Sequence, residues 1–256
     1  MRRALIVGNW KMNLDHVEAV HLTQQVAVIL ASRPAEHVEV VVAPPFVDLR
    51  SVTSVIEAEH SVLEVAAQHV NPHPAGAHTG EIAVPMLARL HVRWVIVGHS
   101  ERRTLYAMDD QTVAETARAA VAGGLRAIVC VGEAEDVRAR GEHRAFVESQ
   151  VAAALGGLSA AEGEVVVAYE PIWAIGTGRT ASVADVAEMT GVIRAAVAAT
   201  GLTGVRVLYG GSVTGDNAAE LFGADVDGFL VGGASLRAES FAAIVAAGES
   251  CYAGSR

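Results

Sequence analysis

Eight short runs of β-branched and aliphatic residues recur along this chain, separated by Ala-rich segments with helical character. They fall at 4–7, 38–43, 61–66, 93–97, 127–131, 165–169, 205–209 and 228–231. Each is nearly continuous in apolar residues rather than alternating, which is how a parallel strand covered on both faces reads. Between them the pattern predicts helices at 16–31, 46–57, 81–90, 110–122, 142–155, 182–199, 215–222 and 239–247. In the sixth of these, Val186, Met189, Val192 and Ile193 share one stripe at helical spacing. Gly123 and Gly124 predict a helix stop before the fifth strand. Eight βα units in 256 residues predict an α/β fold, a single closed (β/α)8 barrel. The alternative, a doubly wound open sheet, normally carries a glycine fingerprint after its first strand. Here that strand runs into Gly8-Asn9-Trp10-Lys11, which is not that fingerprint. No linker-like stretch divides the chain, so residues 1–256 are read as one domain.

Hydrophobic residues make up 52% and charged residues 19%, below the usual charged share of about 25%. Most of the excess is Ala and Val, suited to helices packed closely on a buried sheet. The net charge of −10 argues against nucleic acid as a partner, because that role needs a basic footprint. Cys130 and Cys251 offer neither a disulfide framework nor zinc spacing, which fits a reducing cytoplasm. The apolar run after the first basic residues is too short for a signal peptide, and no stretch is long enough to span a membrane. A cytoplasmic location with no membrane partner is therefore expected.

In such a barrel, chemistry sits where the strands end at their carboxyl side. The sixth run ends in Glu170, a single carboxylate followed at once by Pro171, whose ring fixes φ. An apolar tip bounded by Gly176 and Gly178 comes next, so 168–180 reads as a strand, a charge, a stiff hinge and a flap. The same composition also fits an ordinary surface loop. After the first run stand Asn9 and Lys11, the sole lysine of the chain. Where any solvated charge would serve, arginine is used, which favours a specific role for Lys11. After the fourth run come Gly98-His99-Ser100-Glu101, where a helix can begin with Ser100 as N-cap. The positive helix end would keep His99 neutral, and Glu101 could orient Lys11; a turn-capping histidine and a first-turn glutamate are the plainer readings.

The seventh and eighth runs end in Gly210-Gly211-Ser212 and Gly232-Gly233. Either pair alone fits a turn. Together, on adjacent strands, they suit backbone N–H groups converging on an anion. A carboxylate base, a neutral electrophile, a cation and a phosphate cradle suit proton abstraction beside the carbonyl of a small phosphorylated substrate. A closing flap would exclude water from the intermediate. No metal cluster and no cofactor motif is apparent.

At these positions the chain resembles the triosephosphate isomerase family. The matching stretches are Gly8 to Asn13, Gly98 to Arg103, Cys130 to Glu133, Ala168 to Gly178, Tyr209 to Ser212 and Leu230 to Gly233. They lie in order over nearly the whole chain. The resemblance implies cofactor-free interconversion of dihydroxyacetone phosphate and D-glyceraldehyde 3-phosphate through an enediolate. This family is a standing example of a glutamate base working with a neutral histidine. By position, Glu170 would be the base, His99 the electrophile, and Lys11 the oxyanion stabiliser that binds substrate with Asn9. Backbone N–H groups of Gly176, Ser212, Gly232 and Gly233 would hold the phosphate. A homodimer is expected, with Thr79 of the 69–81 loop buttressing the partner's site. Four positions depart from the family pattern: His69 for Asn, His78 for Phe or Tyr, Met108 for Glu, and Arg179 for Lys. Three of the four bear on the dimer contact. A paralogue acting on a four-carbon sugar phosphate is the alternative function.

Overall fold

A computed structural model of the chain describes residues 3–175 and 179–254. Eight parallel strands close into a barrel in sequence order. They are β1 (Ala4–Asn9), β2 (Val38–Ala43), β3 (Glu64–Ala67), β4 (Trp94–Val97), β5 (Arg126–Val131), β6 (Val165–Tyr169), β7 (Arg206–Tyr209) and β8 (Gly228–Val231). Closure is made by β8 against β1, with Val7 opposite Leu230. Seven of the eight predicted runs lie within a residue or two of these strands. The third was read too early. Val62 is 67% exposed, and the chain bends there before it enters the sheet at Glu64.

Successive side chains of a strand point to opposite faces, so the barrel sorts its residues into two layers. Leu5, Val7, Ala66, Ile96, Ile128, Cys130, Val166, Ala168 and Leu208 fill the inside. Their neighbours Ala4, Ile6, Val95, Val129, Val167 and Val207 meet the surrounding helices. Burial on both faces explains the unbroken apolar runs.

The helices are α1 (His16–Ser32), α2 (Leu49–Ala58), α3 (Val84–Arg89), α4 (Ser100–Tyr106), α5 (Asp110–Ala122), α6 (Glu135–Ala139), α7 (His143–Leu155), α8 (Val183–Ala199), α9 (Ala218–Phe222) and α10 (Ala238–Ala253). Capping boxes start two of the longest. In α1, Asp15 accepts from the Glu18 N–H and Glu18 reciprocates, and in α8 Ser182 and Asp185 do the same. Among the described residues, no helix is long and apolar enough to cross a membrane.

The helix α6 was not foreseen. Five residues are too few to establish a period. The tail also differs from expectation: α10 continues to Ala253, where the pattern placed an end at 247. Its last turns are held by Glu249, which accepts from His37 Nδ1 at 2.6 Å and from the His37 N–H at 2.8 Å.

Candidate active site

Glu170 leaves the barrel one residue past β6, and its N–H still bonds the Val131 carbonyl of β5 at 2.8 Å. The sheet therefore fixes its backbone. Its side chain is 3% exposed. Oε1 stands 2.9 Å from His99 Nε2, and Oε2 accepts the Ser100 N–H at 2.8 Å. The glycine at 210 is needed here, because a Cβ on it would stand 3.0 Å from Glu170 Cγ and press on the carboxylate.

His99, rather than Ser100, is the N-cap of α4. The backbone N–H of Glu101 donates to His99 Nδ1 at 3.2 Å. An Nδ1 that accepts carries no proton, so the proton of the neutral ring sits on Nε2, facing Glu170. The helix start thus acts on one ring nitrogen, but the neutral ring expected from the helix end alone is opposed from the other side. Glu170 acts on the other. Burial lowers the His99 pKa, but the Glu170 carboxylate outweighs it and draws the value above the ordinary one. Burial likewise raises the Glu170 carboxyl, but His99, the Ser100 N–H and Lys11 bring it below the usual glutamate value. Behind Glu170, burial first and that carboxylate second push the Cys130 thiol well up, so it stays protonated.

Lys11 occupies the left-handed region with φ 54°. That conformation costs a non-glycine residue free energy and persists only when its surroundings impose it. Three hydrogen bonds do so: the Lys11 N–H donates to Asn9 Oδ1 at 3.0 Å, and Gln68 Nε2 donates to the carbonyls of Lys11 at 2.7 Å and Ala43 at 2.9 Å. The side chain then reaches inward. Nζ pairs with Glu101 at 2.8 Å, and a Cβ on Gly232 would touch Lys11 Cε at 3.5 Å. Gln68 stands directly after β3. Its spacing gives no sign that it would clamp another strand's loop.

A cavity of about 370 Å3 opens at this end of the barrel. Asn9, Lys11, His99 and Glu170 line it together with Ser212, Gly232 and Gly233. The backbone turns sharply after β8, where the Ser235 N–H and Oγ both donate to the Gly232 carbonyl, at 2.8 and 2.7 Å. Residues from strands far apart in sequence thus share one wall-to-wall space. Gly176 lies outside the described residues. Among the described residues, no group of three or more His, Cys, Asp or Glu is placed to hold a metal ion. Arg237 also lines the cavity, although no motif drew attention to it.

The near hinge of the expected flap is a short 3-10 turn, Ile172–Ala174. Trp173 Nε1 donates to the buried Glu133 at 2.8 Å, and Tyr169 Oη donates to the same oxygen at 3.0 Å. At the far hinge, Arg179 pairs with Glu135 at 2.6 Å and lies over the Trp173 ring at 5.1 Å. A guanidinium can stack flat while bonding a carboxylate, which an ammonium cannot. That gives the departure from lysine a physical content.

A second cavity of about 410 Å3 shares Asn9, Lys11 and His99 with the first and continues outward past Met12, His69, Arg102 and Tyr106. Its rim is apolar yet exposed: Met12 is 95% exposed and Leu105 70%. Thr79 lies exposed on the 71–80 loop and lines neither cavity. His78 stacks on His73 in that loop with centroids 4.6 Å apart, taking an aromatic's place with an imidazole. His69 meets Glu81 at 3.3 Å across the base of the loop. Burial first, then Arg102, bring the His69 pKa down to about 4. Met108 is buried in the helix-facing core.

The closed parallel barrel, with polar side chains gathered at the carboxyl ends of its strands, defines an enzyme of the (β/α)8-barrel class. The family model described as triosephosphate isomerase matches residues 4–248. The triosephosphate isomerase of Rhodococcus jostii is 49% identical over 251 residues, covering 96% of each chain. That of Nocardia farcinica is 50% identical over 253 residues, also covering 96% of each. That of Corynebacterium glutamicum is 47% identical, covering 96% of this chain and 97% of its own. The chain belongs to the triosephosphate isomerase family.

Proposed function

We propose that residues 1–256 act as one barrel domain that interconverts dihydroxyacetone phosphate and D-glyceraldehyde 3-phosphate through an enediolate, a step of glycolysis and gluconeogenesis. The carrying observation is that Glu170, His99 and Lys11 line one cavity with Ser212, Gly232 and Gly233. Glu170, held ionised, removes the proton from the carbon beside the carbonyl. His99 presents its Nε2 proton to the carbonyl oxygen, and its Nδ1 bond to Glu101 keeps that tautomer. It then passes protons between the two oxygens of the intermediate. The Lys11 ammonium, steered by Glu101, stabilises the oxyanion and binds substrate with Asn9. Backbone N–H groups of Ser212, Gly232 and Gly233 receive the phosphate.

The working form is a homodimer located in the cytoplasm. The exposed loop 71–80 of one copy fits the outer cavity of the other, and Thr79 then approaches the Lys11–Glu101 pair. Met12, Val47, Leu105 and Tyr106, each more than 60% exposed, supply the apolar area a stable contact needs.

A coupled assay with glyceraldehyde 3-phosphate against four-carbon ketose phosphates tests the substrate. Turnover of the triose phosphate with little on the longer compounds is the expected result. Preference for the four-carbon compounds would overturn it.

A further inference from the structure

Arg237 follows the 3-10 turn Gly233–Leu236 and is the N-cap residue of α10. Its side chain is exposed at the cavity that holds Lys11, Ser212 and Gly233. Among the described residues, its guanidinium makes no hydrogen bond or ion pair. The nearest acid in sequence, Glu239, faces Arg33 instead at 3.8 Å.

The charges around the cavity make that isolation meaningful. Lys11 is bonded to Glu101 at 2.8 Å and also faces the field of Glu170. Its charge is therefore largely offset before any substrate arrives. Arg237 is the one cation lining the cavity, among the described residues, that no carboxylate neutralises. The protein carries a net −10, so a phosphate dianion approaches against repulsion. A guanidinium offers forked donors that match phosphate oxygens.

We propose that Arg237 is a second cationic determinant of phosphate recognition, drawing dianionic phosphate monoesters into the cradle at 212 and 232–233 and holding them there. This rests on the phosphate end of the cavity being where the proposed function puts it. Exposure limits the size of the effect and makes it salt-sensitive.

The test uses the full chain with Arg237→Gln, Arg237→Glu and Arg237→Lys. Inorganic phosphate is titrated by calorimetry at low and high ionic strength. At low ionic strength the Gln variant should bind phosphate about threefold more weakly, the Glu variant more weakly still, and the Lys variant within about twofold of the parent. The differences should shrink as salt screens the charge. The ratio of kcat/KM for glyceraldehyde 3-phosphate to that for unphosphorylated glyceraldehyde should fall in parallel. Unchanged phosphate binding at every salt concentration would overturn the assignment. So would an equal loss on both aldehydes, which would mark Arg237 as acting on the site without recognising phosphate. The titration needs no turnover and decides Arg237 alone, whereas parent turnover of the triose phosphate tests the proposed reaction.

Discussion

His99 Nε2 and Glu170 Oε1 lie 2.9 Å apart, while the Ser100 N–H holds the other oxygen of the same carboxylate. The two side chains thus rest on each other, and the residue after His99 fixes the carboxylate. Oxygen atoms bonded this way favour the ionised form, and the Glu170 carboxyl lies below its ordinary 4.5 despite burial. The base must be ionised to accept a proton. The Glu170 carboxyl should therefore stay ionised until pH falls below 4.5, while the His99 imidazole, drawn above its ordinary 6.5, takes up its proton first. Carbon-13 NMR of the Glu170 carboxyl checks this apart from turnover, because protonation of His99 would by itself remove the neutral electrophile and set the acidic limb of kcat/KM. A carboxyl titrating near pH 6 would contradict the ionised pair.

Gly210 borders the base so closely that an added methyl acts on catalysis before it acts on folding. Its Cβ would meet Glu170 Cγ at 3.0 Å. In Gly210→Ala the carboxylate should shift by a few tenths of an ångström or more. Such displacement lowers kcat by roughly 10–100-fold, because reacting groups must lie within a narrow range of geometry. Steady-state kinetics beside a thermal melt separates this from a folding defect. Undiminished kcat would show that the space beside the base is not needed.

His69 ties acid stability to the base of the 71–80 loop, where it meets Glu81. Its pKa falls from 6.5 in the unfolded chain to about 4 in the folded one, through burial and then Arg102. The folded state therefore binds fewer protons than the unfolded state between those values. Its contribution to stability is full above pH 6.5 and is lost as pH falls toward 4, by an amount on the order of 1–3 kcal/mol. His69→Asn removes the titration, so urea midpoints should depend less on pH across that window. An unchanged dependence would place the acid sensitivity elsewhere.

The outer cavity beside Lys11 predicts that activity follows assembly. Light scattering and activity measured across serial dilution should show a dimer, with any loss of mass accompanied by loss of turnover. Thr79→Arg would place a long charged side chain in that cavity and should shift dissociation to higher protein concentration. A fully active monomer would contradict a site completed by the partner.

The barrel was legible because its physics is periodic. Strands buried on both faces must be continuously apolar, and eight such runs allow few architectures. Glu170, His99 and Lys11 were legible because each stands within a few residues of the end of such a run. What escaped was set by contacts between strands distant in sequence. Ser100 was read as the cap, whereas the His99 ring takes that role because the helix begins one residue earlier in space than its hydroxyl suggests. The strained φ of Lys11 and its clamp by Gln68 leave no local pattern. Arg237 was equally silent, since its position in the cavity depends on where the turn after β8 carries the chain.

The most direct test of the central claim is the turnover of Glu170→Asp. Shortening the side chain by one methylene withdraws the carboxylate from the substrate carbon but keeps its charge. At saturating glyceraldehyde 3-phosphate, kcat should fall on the order of 10²-fold, with phosphate affinity and melting temperature close to the parent's. Turnover within a few-fold of the parent would show that Glu170 is not the proton-abstracting base.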